Sequence, residues 1–147
     1  MSNEEKGQWV YLVAFGVTYG AYFVITLGQL GQTAPADIDY VPTMLWAIGI
    51  GIALAIVGRM AVDIVSRISD EIAGHDDGPV ADVRDRDIGR FGEFVAGSVL
   101  GVGMVVPFVL TLAEFDYFWI ANAMYLAFGA AAAVGAVVKV VAYRRGF

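Results

Sequence analysis

The chain has 147 residues, of which 59% are hydrophobic and only 16% charged, and its net charge is -6. That balance argues against a soluble domain burying one core beneath a charged surface, and the acidic total argues against direct nucleic-acid binding. With no cysteine and one histidine, His75, the chain also excludes disulfides, thiolate metal sites, a cysteine nucleophile and bis-histidine haem ligation.

The first residues, with Glu4, Glu5 and Lys6, are polar and lack the basic start and small-residue cleavage site of a signal peptide, so the segment is expected to be retained. Four apolar segments follow, at residues 9–30, 42–66, 89–112 and 117–143. Each reaches the ~20 residues that a helix needs to cross a hydrocarbon core of about 30 Å. They are continuously apolar and do not alternate, which disfavours barrel strands. The expected fold is therefore all-α: an integral membrane four-helix bundle forming a single transmembrane domain over residues 1–147.

Bilayer helices associate through close backbone approach, so small residues are informative. Helix 1 carries Gly16 and Gly20 as GxxxG, helix 2 has Gly51 between Ala47 and Ala55, helix 3 has Gly97 and Gly101, and helix 4 has Gly135 after Ala127 and Ala131. Most of these are expected to close the bundle within one chain. More small-residue surface is present than one bundle uses, which predicts a homodimer.

Helix 1 also holds Thr18, Tyr19, Tyr22 and Thr26 at mid-depth, which either coat a permeation path or bond back to helical carbonyls. In helix 2, Arg59 and Asp63 are spaced as an i,i+4 ion pair. A cytoplasmic loop is expected at residues 67–88. Within it His75, Asp76 and Asp77 offer hard ligands, but the adjoining Gly78 and Pro79 mark a connection, and no metal site or cofactor is expected. The loop's second half alternates Arg84, Asp85, Arg86 and Asp87 and continues into helix 3. It is either a solvated helix entrance or a docking surface for a cytoplasmic protein partner, since mixed charge gives orientation and specificity.

Three intramembrane residues are candidates for a polar site. Glu93 lies a turn into helix 3, where a carboxylate needs water, a base or a cavity; the plainer reading is an interfacial group near Arg90. Pro107 is expected to kink helix 3 and free a carbonyl. Asn122, a turn into helix 4, either bonds across helices or lines a vestibule. No hydrolase elbow, Walker loop, zincin helix or deaminase signature occurs, so enzymatic function is not expected.

The charges set the topology. All nine Lys and Arg residues fall at one end of the helices, whereas the opposite connections contain Asp37, Asp39, Glu114 and Asp116 and no base. Cytoplasmic loops retain Lys and Arg during insertion, so both termini are expected in the cytoplasm and the protein in the bacterial inner membrane. Asp39 and Tyr40 before helix 2 recur as Asp116 and Tyr117 before helix 4, a register that matches Gly58 with Gly135 and Arg67 with Arg144. Two parallel helical hairpins, 2+2, related by a pseudo-two-fold axis, would produce that pattern, as would similar anchors on any two inward-running helices.

Residues 82–88 (DVRDRDI), 118–128 (FWIANAMYLAF) and 139–147 (KVVAYRRGF) resemble the signatures of a family of small, uncharacterised multi-pass membrane proteins common in actinobacteria. The resemblance spans the chain and is strongest in its second half. It implies no catalytic residues. It does imply a membrane component of a regulatory or stress-response pair, because such proteins are often encoded beside a Cro-like helix-turn-helix regulator. The sequence thus supports three roles: a non-enzymatic regulatory or interaction protein, a small homodimeric transporter or channel, and a structural subunit of a larger complex.

Overall fold

The computed structural model describes residues 3–72 and 83–145, and every regular element within them is helical. The elements are α1 (Asn3–Leu27), a 3-10 turn (Pro35–Asp37), α2 (Tyr40–Ile72), α3 (Val83–Gly103), α4 (Val105–Leu112) and α5 (Tyr117–Arg145). Helices α3 and α4 together make one span, so four helical units are long and apolar enough to cross a membrane. This is the architecture of a multi-pass membrane protein.

Helix ends differ from the apolar limits in an informative way. Helix α1 starts within the polar N-terminal residues, and α2 continues through Arg67 to Ile72. At 1.5 Å per residue the 33 residues of α2 extend about 50 Å, well beyond a hydrocarbon core of about 30 Å. Hydropathy marks where lipid contact stops, whereas backbone hydrogen bonding carries the helix onward. Helix therefore takes up both ends of the expected loop of residues 67–88, through Ile72 and from Val83, and the His75 to Pro79 segment lies outside the described residues.

The α3/α4 break falls at Met104, three residues before Pro107. Proline has no N–H to offer the carbonyl four residues earlier, here Gly103, and its ring crowds that turn. The amides of Met104 and Phe108 still donate to Leu100 and Met104 carbonyls, at 2.9 and 3.2 Å, so the interruption is local. At the other end of α4, Phe115 N–H donates to Leu110 and Glu114 N–H to Thr111, with Glu114 at φ 55°. Those paired bonds close the helix as a Schellman motif and turn the chain sharply into α5.

Neighbouring helices run antiparallel. Helix α1 packs on both α2 and α5, and α5 packs on α1, α3 and α4. The spatial order is α2, α1, α5, then α3 with α4, and α2 has no comparable interface with α3 or α5. Helix α5 is the central element: 39% of its most apolar 18-residue stretch is buried, against none of the corresponding stretch of α2. The bundle therefore presents much of α2 outward, including Leu45, Ile52 and Ile56, the apolar surface that a bilayer solvates.

The two hairpins, α1 with α2 and α3–α4 with α5, share one orientation. Their internal equivalence is visible in the glycines. A Cβ on Gly58 of α2 would strike Val10 of α1, and one on Gly135 of α5 would lie 2.8 Å from Ala96 Cβ of α3. Equivalence stops between the hairpins, because a two-fold axis would require an α2/α3 interface to match α1/α5.

The expected packing role of the small residues holds only in part. A Cβ on Gly51 would lie 3.2 Å from Thr18 Oγ1 and Gly135 meets α3, but Gly16, Gly20, Gly97 and Gly101 are exposed with nothing near a Cβ. Both complete GxxxG pairs thus face outward. The close approaches inside the chain use Gly7, Gly58, Gly92, Gly103 and Gly129 instead.

Candidate functional site

Three polar features lie within or beside the spans. At mid-depth, α1 delivers Tyr19 and Tyr22 to α5. Tyr22 O–H donates to Asn122 Oδ1 at 2.8 Å, and Asn122 Nδ2 donates to the Phe118 carbonyl at 2.8 Å. Tyr19 stacks on Tyr125 with ring centroids 4.1 Å apart and donates to the Tyr125 carbonyl at 3.2 Å. Tyr22 meets Tyr125 edge-on at 4.9 Å. Asn122 is therefore a buried bridge between helices and does not border any of the described cavities. Thr18, one of the helix 1 hydroxyls, donates back to Ala14 and Phe15 carbonyls.

Toward the basic end, Glu93 of α3 faces Lys139 of α5 at 3.8 Å. Glu93 is 77% exposed and Lys139 only 20%. The partner is therefore a base on another helix rather than Arg90. Both line a groove of about 330 Å³ that Arg59 of α2 and Gln8 and Tyr11 of α1 complete. Arg59 is positioned from its own helix, its Nε held by Asp63 at 3.3 Å, while its Nη1 lies over Gly7 of α1.

Glu93, Asn122 and Pro107 do not form one site. Lys139 and Asn122 are seventeen residues apart on α5, about 25 Å at the helical rise, with the tyrosine cluster between the groove and Asn122. Pro107 borders a separate apolar pocket of about 450 Å³ with Met104, Phe108 and Met124. The Thr111 hydroxyl there donates to the Pro107 carbonyl at 2.8 Å.

The third feature is a clamp at the basic end. Glu5 of α1 is almost fully buried and accepts from Arg144 Nε of α5 at 3.0 Å, and that guanidinium sits 5.5 Å from the Trp9 ring centroid. The clamp ties the beginning of α1 to the end of α5. Sequence reasoning missed it because the partners are 139 residues apart; the one available signal was a carboxylate, a tryptophan and an Arg pair sharing one predicted interface.

The predicted docking residues occupy the first turns of α3. Arg84, Arg86 and Asp87 are exposed, Asp85 is half-buried, and none pairs with another described residue. Ile88, 1% exposed, pins this turn to the bundle. Arg86, two residues before it, projects from the opposite helical face. Among the described residues, no cluster of three or more His, Asp or Glu side chains is arranged to hold a metal ion.

These features define a small, all-helical, multi-pass membrane protein with a polar bridge between α1 and α5 and a charged helix entrance. Comparison with known families, curated proteins and solved structures gives no match.

Proposed function

We propose that the protein is a non-enzymatic regulatory or interaction component of the bacterial inner membrane, with both termini and the entrance to α3 in the cytoplasm. The observation that carries this reading is the contrast between polar groups. Buried Asn122 and Glu5 find partners within the chain, while Arg84, Arg86 and Asp87 are displayed on a helix turn fixed by Ile88. Burial is costly for unpaired polar groups, so internal pairing serves the fold, whereas an anchored mixed-charge surface orients a partner. The sidedness rests on the partition of all nine bases to one end. The family resemblance suggests the partner class, a small Cro-like helix-turn-helix regulator in the cytoplasm.

A photo-crosslinking residue at position 86 in native membranes tests this directly. A discrete adduct with a soluble protein is expected, and combined Arg84→Glu and Asp87→Lys substitutions should reduce it by about tenfold, the loss of roughly 1.4 kcal/mol of charge complementarity. Adducts to lipid alone, or a protein adduct indifferent to those reversals, would overturn the reading.

The outward Gly16/Gly20 and Gly97/Gly101 pairs support a homodimer, because small-xxx-small faces let helix backbones approach closely in lipid. Gly97→Ile with Gly101→Ile is expected to shift the protein from dimer to monomer in bilayer crosslinking at a low protein-to-lipid ratio. Unchanged dimer after substitution at both glycine pairs would count against that interface.

A second reading, a small homodimeric transporter or channel, draws on the groove at Glu93 and the helix break at Met104. It requires proteoliposome flux that falls when Glu93 is replaced by Gln. A structural subunit of a larger complex would instead co-purify with a stoichiometric membrane companion.

A further inference from the structure

Three helices converge on one cleft with the same vertical order of chemistry. On α2, the ridge Ala47, Gly51, Ala55 at i,i+4 spacing ends in Arg59, beside the parallel ridge Ile48, Ile52, Ile56. On α5, Tyr125, Ala132 and Lys139 recur every seven residues, placing the ammonium above an apolar stripe. On α1, Gln8 stands above Tyr11 and Phe15. Gln8, Arg59 and Lys139, with Ala132, line the groove of about 330 Å³, and Phe15, Gly51, Ile52 and Tyr125 line a second cavity of about 270 Å³ continuing toward the bundle's middle. Tyr11 and Ala55 border both, so the two are successive parts of one cleft. From Gln8 to Tyr19 along α1 it spans about 17 Å at the helical rise.

We propose that this cleft holds one acyl chain of an anionic glycerophospholipid drawn from the surrounding bilayer, with its phosphate on Lys139 beside Arg59. Helix α2 packs chiefly on α1 and meets α5 at its Tyr40 end, through Phe118, so away from that end the cleft opens sideways into the bilayer between α2 and the α3–α5 pair. An open apolar channel at that depth is filled by hydrocarbon, since water finds no partners along Phe15 and Ile52. The head end discriminates. Its lining carries Lys139, Arg59 and one carboxylate, Glu93, and because Asp63 already pairs with Arg59, Lys139 is the principal cationic anchor. Lys139 is four-fifths buried, yet its only ionic contact among the described residues is 3.8 Å long, too far for a hydrogen bond. An ammonium has three N–H donors and is costly to bury without acceptors. A phosphate seated between Lys139 and Arg59 supplies them, and basic pockets between membrane helices bind anionic headgroups by this logic. Glu93, largely exposed at the rim, can swing outward as the phosphate takes its place.

The site is separate from the α3 entrance, so either reading can fail alone. The test is native mass spectrometry of delipidated protein in micelles, titrated with dioleoylphosphatidylglycerol, dioleoylglycerol or glycerol phosphate. One phosphatidylglycerol per chain is expected to be retained, with neither dioleoylglycerol nor glycerol phosphate held comparably. Lys139→Gln should weaken retention by about tenfold, the scale of a lost charge-assisted hydrogen bond, and Lys139→Arg should restore it. Ala132→Leu, which narrows the head-end groove without altering charge, should also weaken retention while helicity and elution volume stay native. Equal retention of dioleoylglycerol, retention of glycerol phosphate alone, or wild-type lipid binding in both Lys139→Gln and Ala132→Leu would each overturn the proposal.

Discussion

Gly129→Leu is expected to destabilise the folded protein by about 3 kcal/mol, the upper range of overpacking within a closely packed helix contact. A Cβ at this position would run into the Tyr19 ring, whose Cδ1 and Cζ lie 2.9 Å from it. A leucine must push that ring from its stack on Tyr125 and break the bond from Tyr19 O–H to the Tyr125 carbonyl. Stacking of this kind contributes about 1 kcal/mol beyond area burial, and the hydrogen bond a similar amount. Gly97→Leu adds the same side chain to an outward face and should change monomer stability by no more than about 0.5 kcal/mol. Denaturant titration in mixed micelles, followed by helical ellipticity, reads both. Equal stability of the two variants would show that α1 and α5 do not meet through Gly129.

The second large effect concerns the Tyr22 to Asn122 bond. Asn122→Leu removes the acceptor and leaves the Tyr22 hydroxyl, in a side chain only 1% exposed, without its 2.8 Å partner. A buried polar group stripped of its partner costs about 1–3 kcal/mol, and hydrogen bonds between membrane helices contribute roughly 0.6–2 kcal/mol. Asn122→Leu is therefore expected to cost about 2 kcal/mol and Tyr22→Phe about 1 kcal/mol. The double variant should lose less than their sum, by a coupling of about 1 kcal/mol. Strict additivity in that double-mutant cycle would mean that the two side chains do not bond in the folded protein.

Both effects depend on which helix faces which, and that is where the sequence was least legible. Four membrane-length segments could be read from length and hydropathy, because a bilayer demands continuous apolar helices. The charge partition was equally plain, since it depends only on chain order. Periodicity identified small-residue faces on α1 and α3, but a face does not name its partner. Gly16, Gly20, Gly97 and Gly101 fit a packing motif and face outward, while Gly129 and Gly92, in no conspicuous motif, make close approaches. Lys139 as the partner of Glu93, and Arg144 as that of Glu5, are pairings between distant segments. They depend on the α2, α1, α5, α3 order, which the sequence did not carry. The polar end of α2 was missed for another reason: Arg67 to Ile72 are too polar for a hydrocarbon window, yet nothing in them breaks a helix.

The entrance to α3 is an exposed charged feature, and its proposed role requires that it face the cytoplasm. The chain has no cysteine, so single-cysteine variants report position without background. Ala36→Cys and Phe115→Cys are predicted to react with a membrane-impermeant maleimide in intact spheroplasts, and Arg86→Cys and Arg145→Cys only after permeabilisation. Labelling at position 86 or 145 before permeabilisation, or at 36 and 145 from the same side, would contradict the account.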